Sequence, residues 1–344
     1  MKNRIIIIVL VILGTIAAIF FSNYTRSKDN GFERTVFYPG IQVRQVIDLS
    51  EKSFRLMNNV KTESCLFNYK KPFSRYTIDF SIGRLISTDV TVPEGFNAKS
   101  SYIKLDATNE NLIISNAEGN LILSNNKHSK FYQLPIIYSD QALAVSSSAI
   151  AVRSLQKIGF NWDMRLVKVN LADRSVESYN LPLQKDGLFA NDGQFKYDKT
   201  TSRFFYTFSY SGEFLCLDTS MKLIFRSKTI DTVKAANIRL GTLRTRLGNG
   251  REATQITQLN PAPFVNKAFT INRNRLFIHS AIKSKDDPIN HEPIDIYSIN
   301  DGSYIKSFYL PKYKGNRVED FIINERGLLA IQGNWLVIYA FNDI

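Results

Sequence analysis

The stretch SINDGSYIKSFYLP, Ser298 to Pro311, decides how this chain is read. An Asp-Gly pair sits between two short runs rich in β-branched and aromatic residues, the pattern of a β-hairpin. The second run stops at Leu-Pro. The same layout returns in NLADRSVESYNLP, Asn170 to Pro182, and in SNNKHSKFYQLP, Ser124 to Pro135. Proline has no N–H to give to a ladder, so a strand that ends on it stands at a sheet edge. A chain that repeats this ending leaves one sheet edge after another.

The endings are regularly spaced. Pro93, Pro135 and Pro182 lie 42 and 47 residues apart, a fourth unit ends near Ile230, and Pro311 closes a fifth. Within one unit, NLIISNAEGNLILSNNKHSKFYQLP reads as three consecutive strands, with turns at Glu118-Gly119 and Asn125-Asn126. RFFYTFSYSGEFLCLDTSMKLIFRSKTI repeats that layout, with its first turn at Ser211-Gly212. A sixth unit, VEDFIINERGLLAIQGNWLVIYAF, supplies only three strands. The strand it lacks is available at the other end of the chain, in QVRQVIDLS, Gln42 to Ser50. A period of about 40–50 residues with about four strands each predicts an all-β fold, a six-bladed β-propeller of four-stranded antiparallel blades. Residues 41–344 would form the ring, closed by the strand that the N-terminus lends to the last blade.

On these repeats the chain resembles the six-bladed propellers of the NHL-like and TolB-like group, over roughly Ile41 to Phe341. It also resembles the single-anchor propeller proteins of unassigned role in Gram-negative bacteria such as Bacteroidota. That resemblance implies export and a binding surface, and no reaction. WD40 repeats fit poorly, because no Gly-His and Trp-Asp pair recurs.

The bulk composition agrees with a folded domain. Apolar residues make up 44% and charged residues 22%, which excludes a disordered chain, and 16 tyrosines with 24 phenylalanines favour strands. The balance of 44 basic against 31 acidic residues, net +13, fits either a solvated basic surface or attraction to anionic partners. No nucleic-acid motif is present, and nucleic acid is not expected as a partner.

MKNR is followed by IIIIVLVILGTIAAIFF, Ile5 to Phe21, without a charge. Seventeen residues at 1.5 Å each span roughly 25 Å, near the thickness of a hydrocarbon core. Residues 1–22 are therefore read as an uncleaved membrane anchor. A cleaved signal segment is the alternative, but the run is long and ends in large residues. Lys2 and Arg4 mark the cytoplasmic end. The expected arrangement is a single pass through the inner membrane, a linker over 23–40, and the propeller on the periplasmic side.

One segment breaks the rhythm. From Ile230 to Pro311 is 81 residues, too long for one blade. An insertion is expected at about 231–263, carrying Lys234, Arg239, Arg244, Arg246 and Arg251 with no acid between Val233 and Arg251. These five are candidate contacts for an anionic ligand or an acidic envelope protein, against the alternative of a solvated crossing loop. In DDPINHEPID, His291 lies near Asp286, Asp287, Glu292 and Asp295. His291, Asp286, Asp287 and Asp295 are candidate ligands for a divalent cation, although such acidic loops are commonly just solvated. His279 ends an apolar run and is expected to be structural or to face the channel, whereas His128 sits in a polar turn.

Cys65 and Cys216 fall in different blades and are expected to be unpaired. No Gly-x-Ser-x-Gly, His-Glu-x-x-His or phosphate loop occurs, so no catalytic residue and no cofactor are assigned. The resulting reading is a binding module for a protein or small ligand. The alternative is a metal-dependent propeller hydrolase or lactonase, which inner-strand carboxylates converging on the channel would favour. Membrane fractionation of the full chain with N-terminal sequencing is expected to recover an intact protein in the membrane. A soluble mature chain beginning near Ala18 or Ile19 would overturn the anchor.

Overall fold

The structure is a computed structural model that describes residues 31–57, 65–97, 103–107, 112–124, 129–136, 138–158, 161–182, 188–246, 252–260 and 262–341. Ile5 to Phe21 and His128 lie outside the described residues. No helix of the described residues is long and apolar enough to cross a membrane.

The chain begins its sheets with β1 (Gln42–Asp48). Blade one is β2 (Phe54–Leu56), β3 (Cys65–Asn68), β4 (Ser74–Asp79) and β5 (Arg84–Asp89). Blade two is β6 (Lys104–Ala107), β7 (Leu112–Ser115), β8 (Asn120–Ser124) and β9 (Ser129–Gln133). Blade three is β10 (Tyr138–Ala144), β11 (Ala149–Ile158), β12 (Asn161–Asn170) and β13 (Val176–Asn180). Blade four is β14 (Gly193–Asp198), β15 (Arg203–Phe208), β16 (Glu213–Leu217) and β17 (Leu223–Lys228). The hairpin β18 (Arg239–Arg246) and β19 (Glu252–Asn260) follows. Blade five is β20 (Asn266–Asn272), β21 (Arg275–Ser280), β22 (His291–Ser298) and β23 (Tyr304–Pro311). Blade six is β24 (Val318–Asn324), β25 (Gly327–Gln332) and β26 (Trp335–Ala340), and β1 pairs antiparallel with β26 to complete it. The ring is thus six four-stranded sheets closed by the N-terminal strand, as the sequence predicts.

Burial within a blade explains the sequence pattern. The middle strands are covered on both faces by neighbouring blades, so β15 (RFFYTF) and β16 (EFLCL) are buried almost throughout. The outer strands β5 and β13 are largely exposed and carry polar residues. Apolar material collects between blades. Six clusters fill the six interfaces, one for each adjacent pair of blades.

The residue before each terminal proline belongs to these clusters. Val92 packs between blades one and two, Leu134 between two and three, Leu181 between three and four, and Leu310 between five and six. Ile230 and Leu49 do the same between four and five and between six and one, without a proline. Each crossing thus drops one aliphatic side chain into the seam that it spans. The Asp-Gly turn of the opening stretch serves the same end. Gly302 takes a φ of 74°, and a side chain there would strike Ser227 and Phe225 of blade four. Ser227 Oγ donates to Gly302 O at 2.7 Å.

Residues 31–40, expected as linker, do not all stand away from the ring. Val36 bridges Ser307 in parallel, Phe37 N donates to Ser307 O at 2.9 Å, and Ser307 N donates to Thr35 O at 2.8 Å. This short run adds to the outer edge of β23. The insertion is not an irregular loop but a hairpin, β18 on β19, forming its own two-stranded sheet. Cys216 is free and buried in the seam between blades four and five, and burial pushes its thiol up to about 12. Cys65 lies on β3 of blade one.

Leu181→Ala should cost about 2–5 kcal/mol, because it opens a seam that the ring cannot collapse. Val176→Ala on the exposed face of β13, the strand that Leu181 follows, should change stability by less than about 0.5 kcal/mol. Urea midpoints of the two variants check this; equal values would remove the seam from the account.

Candidate functional site

The innermost strand of each blade turns one edge toward the axis, where no further strand can pair with it. Buried backbone groups there need other partners. Side chains from neighbouring inner strands supply them. Gln141 on β10 donates from Nε2 to Phe195 O at 2.7 Å and accepts from Phe195 N at 3.2 Å. Gln194 on β14 donates to Lys267 O at 2.5 Å. Asp106 on β6 accepts from Ala144 N at 3.3 Å, and Asp320 on β24 accepts from Leu56 N at 2.9 Å. These contacts stitch blades two to three, three to four, four to five, and six to one.

Three inner strands are bulged near their first residues. The register shifts between Ser139 and Gln141 in β10, Asn266 and Ala268 in β20, and Val318 and Asp320 in β24. The extra residues are Asp140, Lys267 and Glu319. A bulge re-aims a side chain, and all three of these line one cavity of about 650 Å3 at the end of the ring where inner strands begin. Arg55, Asp106, Gln194, Lys196 and Asp320 also line it, with Tyr69, Phe264 and Arg317 toward the rim.

The cavity is densely charged, and most charges are paired. Arg153 on β11 is buried; its Nε donates to Asp140 Oδ1 at 2.7 Å and its Nη1 to Asp192 Oδ1 at 2.7 Å. Burial opposes its charge, but these two carboxylates hold the guanidinium pKa above its ordinary value. Arg55 Nη1 meets Glu319 Oε2 at 3.1 Å and lies 5.5 Å from the Tyr69 ring centroid. Lys267 Nζ meets Glu292 Oε2 at 3.1 Å, and the same oxygen bonds His279 Nε2 at 2.9 Å. Burial would raise the Glu292 carboxyl, but the His279 hydrogen bond and Lys267 hold it down at about 2.

Lys196 on β14 is different. It is 9% exposed, lines the cavity and stands 5.1 Å from the Phe269 ring centroid. Among the described residues its amine makes no hydrogen bond or ion pair. Burial lowers its pKa, while Asp320 and Asp106 act to raise it. Burial in turn raises the Asp320 carboxyl, opposed by Lys196.

The residues singled out from sequence lie elsewhere. Lys234, Arg239 and Arg244 are exposed along the insertion, Arg246 stands opposite Glu252 on the hairpin, and Arg251 lies outside the described residues. The hairpin root reaches the cavity through Phe264, which stacks on Tyr210 with centroids 5.1 Å apart. Leu240, Leu243 and Leu259 are exposed on the hairpin itself. Asp287 and Asp295, named as candidate cation ligands, both hold Arg34. Its Nε meets Asp295 Oδ1 at 2.7 Å, its Nη1 pairs with Asp287, and all three side chains are at most 2% exposed. Asp286 is exposed, and His291 is partly buried with its ring 6.5 Å from that of Tyr309. Among the described residues no group of three or more His, Cys, Asp or Glu could hold a metal ion. His279 is structural in position, fully buried behind Lys267 rather than lining the cavity.

Nothing in the sequence pattern marks Asp140, Lys267 and Glu319, because a bulge breaks the alternation by which strand residues are assigned to faces. Inner-strand carboxylates do converge on the channel, namely Asp106, Asp140, Glu319 and Asp320. Each carries a hydrogen bond or ion pair within the ring.

The fold and this cavity define a six-bladed β-propeller with a polar site at one mouth. No family model and no curated sequence matches the chain. Among solved structures it is similar to a member of the DUF4221 family from Bacteroides vulgatus, at 11% identity and a TM-score of 0.54, covering 91% of this chain and 99% of that one. It is also similar to streptogramin B lyase, at 12% identity and a TM-score of 0.49, covering 88% and 98%. At such identities the likeness concerns the fold.

Glu292 yields a pH prediction. A carboxyl held at about 2 from an ordinary 4.5 adds stability that is full above about pH 4.5 and is lost as pH falls toward 2. Glu292→Gln should therefore be less stable at neutral pH, by about 2–3 kcal/mol, and should lose less on acidification. Urea midpoints between pH 7 and 2.5 test it; parallel curves for the two proteins would contradict the pairing.

Proposed function

We propose that the protein is a binding module whose site is the mouth cavity, and that Ile5 to Phe21 holds the ring at a membrane on its extracytoplasmic side. The observation that carries the binding reading is the convergence of three bulged residues, Asp140, Lys267 and Glu319, on one cavity. Bulges disrupt ladders and persist where a side chain must be re-aimed. A cavity of about 650 Å3 falls in the size range of small-molecule sites. Paired charges around it form a pre-organised polar wall that recognises hydroxyl, amide or charged groups.

The hydrolase alternative gains from the location of the four inner-strand acids and loses by their commitments. Metal-dependent hydrolysis needs carboxylates gathered around one point. Here Asp140 grips Arg153, Glu319 meets Arg55, and Asp106 and Asp320 accept backbone N–H groups. That distribution supports recognition over turnover. The basic hairpin beside the mouth supports a second contact, with an acidic partner or the anionic end of a ligand; Lys234, Arg239 and Arg244 are the described residues that would make it.

Thermal-shift screening of the full-length protein against small polar metabolites should yield ligands. Their stabilisation should fall by half or more in Phe264→Ala with Arg317→Ala, two rim changes outside the ion pairs described. No ligand at all, or ligands indifferent to the rim changes, would reject the cavity as the site.

A further inference from the structure

The inner end of the cavity has a donor and acceptor pattern that restricts its ligand. Three ionisable side chains enter it from alternate blades: Asp106 from blade two, Lys196 from blade four and Asp320 from blade six. Asp106 and Lys196 are each 9% exposed. The amine feels both carboxylates, yet its described contacts include the Phe269 ring and no ion pair with either acid. The three groups thus line one cavity with no ion pair joining the amine to either acid.

A ligand group among them must satisfy opposite demands. An ammonium donates and cannot accept; a carboxylate accepts and cannot donate. A ligand carboxylate or phosphate would suit Lys196 and meet two buried acids. A ligand ammonium would suit the acids and meet a buried amine. A hydroxyl does both, accepting from the amine through a lone pair and donating its proton to an acid. Adjacent hydroxyls on one ring extend this to all three groups. Farther out, Tyr69 and Phe264 present half-open aromatic faces, 44% and 48% exposed. Such faces suit the C–H side of a pyranose.

We propose that the inner end of the cavity is a carbohydrate subsite, in which Lys196, Asp106 and Asp320 bind vicinal hydroxyls of a neutral saccharide. This rests on the reading of the mouth cavity as the binding site and names the ligand class for it. Lys196 donates to one hydroxyl oxygen. Asp106 and Asp320 take the protons of its neighbours while keeping their bonds to Ala144 N and Leu56 N. The aromatic rim sets the ring plane, and Arg317 stays in solvent as the first contact.

The test is titration calorimetry of the full-length protein with glucose, lactose, cellobiose and diacetylchitobiose, beside glucuronate and glucosamine as charged counterparts. At least one neutral sugar should bind, and glucuronate and glucosamine should each bind more weakly than glucose or not at all. Lys196→Met should weaken the neutral sugar about tenfold or more, the loss expected for one hydrogen bond to a charged group. If that variant does not fold, Asp106→Asn and Tyr69→Ala decide, each expected to weaken binding in a protein that still melts in one cooperative transition. The proposal is overturned if no neutral sugar binds, if glucuronate or glucosamine binds as well as glucose, or if folded variants bind as the parent does. Metabolite hits that depend on Phe264 and Arg317 but contain no sugar would leave the cavity as the site and remove the carbohydrate.

Discussion

Everything in this molecule depends on packing one blade face to face with the next. A propeller has no central core, because a polar channel occupies the axis. Its apolar side chains lie in the seams, and each seam is supplied by two blades. Blade four shows the consequence: Phe204, Tyr206 and Leu215 face blade three, while Phe205, Phe214 and Cys216 face blade five. Such a sheet is stable only if both neighbours are present, so the ring must close. The pairing of β1 with β26 is what closes it, and Ile47 and Leu49 then fill the last seam from the N-terminal side.

Closure at the outside transfers the difficulty to the inside. Six inner strands turn an edge to the axis, and those edges cannot be paired by further strands. Polar side chains from the next blade take that role, as with Gln141 on the Phe195 backbone and Gln194 on Lys267 O. The same requirement that satisfies the backbone therefore fills the channel with amides, carboxylates and cations. A polar cavity at the axis is a structural outcome of the ring before it is a functional one. The pattern breaks locally at Asp140, Lys267 and Glu319, where the ladder gives up regularity to place charge at the mouth.

This division explains what could be read from the sequence. Blade count and closing strand were legible, since middle strands such as RFFYTF and endings such as Leu134-Pro135 recur from blade to blade. The leucine proved as informative as the proline: it fills the seam, while the proline only blunts the edge. The site was not legible. Its residues come one or two from each inner strand, separated by a whole blade, and bulges scramble their alternation. One charge cluster that the sequence displays has another task. DDPINHEPID, which looked like a cation loop, contributes Asp287 and Asp295 to the grip on Arg34, a partner some 250 residues away along the chain. The register of that contact depends on a three-residue bridge beside β23 that no periodicity announces.

The two ends of the ring are not equivalent. Chain crossings from each outer strand to the next inner strand arrive at the mouth where the inner strands begin, so length can be added there without disturbing any sheet. The insertion uses that freedom between blades four and five, and its root places Phe264 on the cavity rim against Tyr210. The N-terminal run uses a different place. Arg34 to Phe37 dock on the outer edge of blade five, with the guanidinium sealed between Asp287 and Asp295. A buried arginine with two buried carboxylates is costly to pull apart, because each group left behind would be an unpaired charge. Arg34 is thus fastened to the outer edge of blade five and not to the mouth where the hairpin stands.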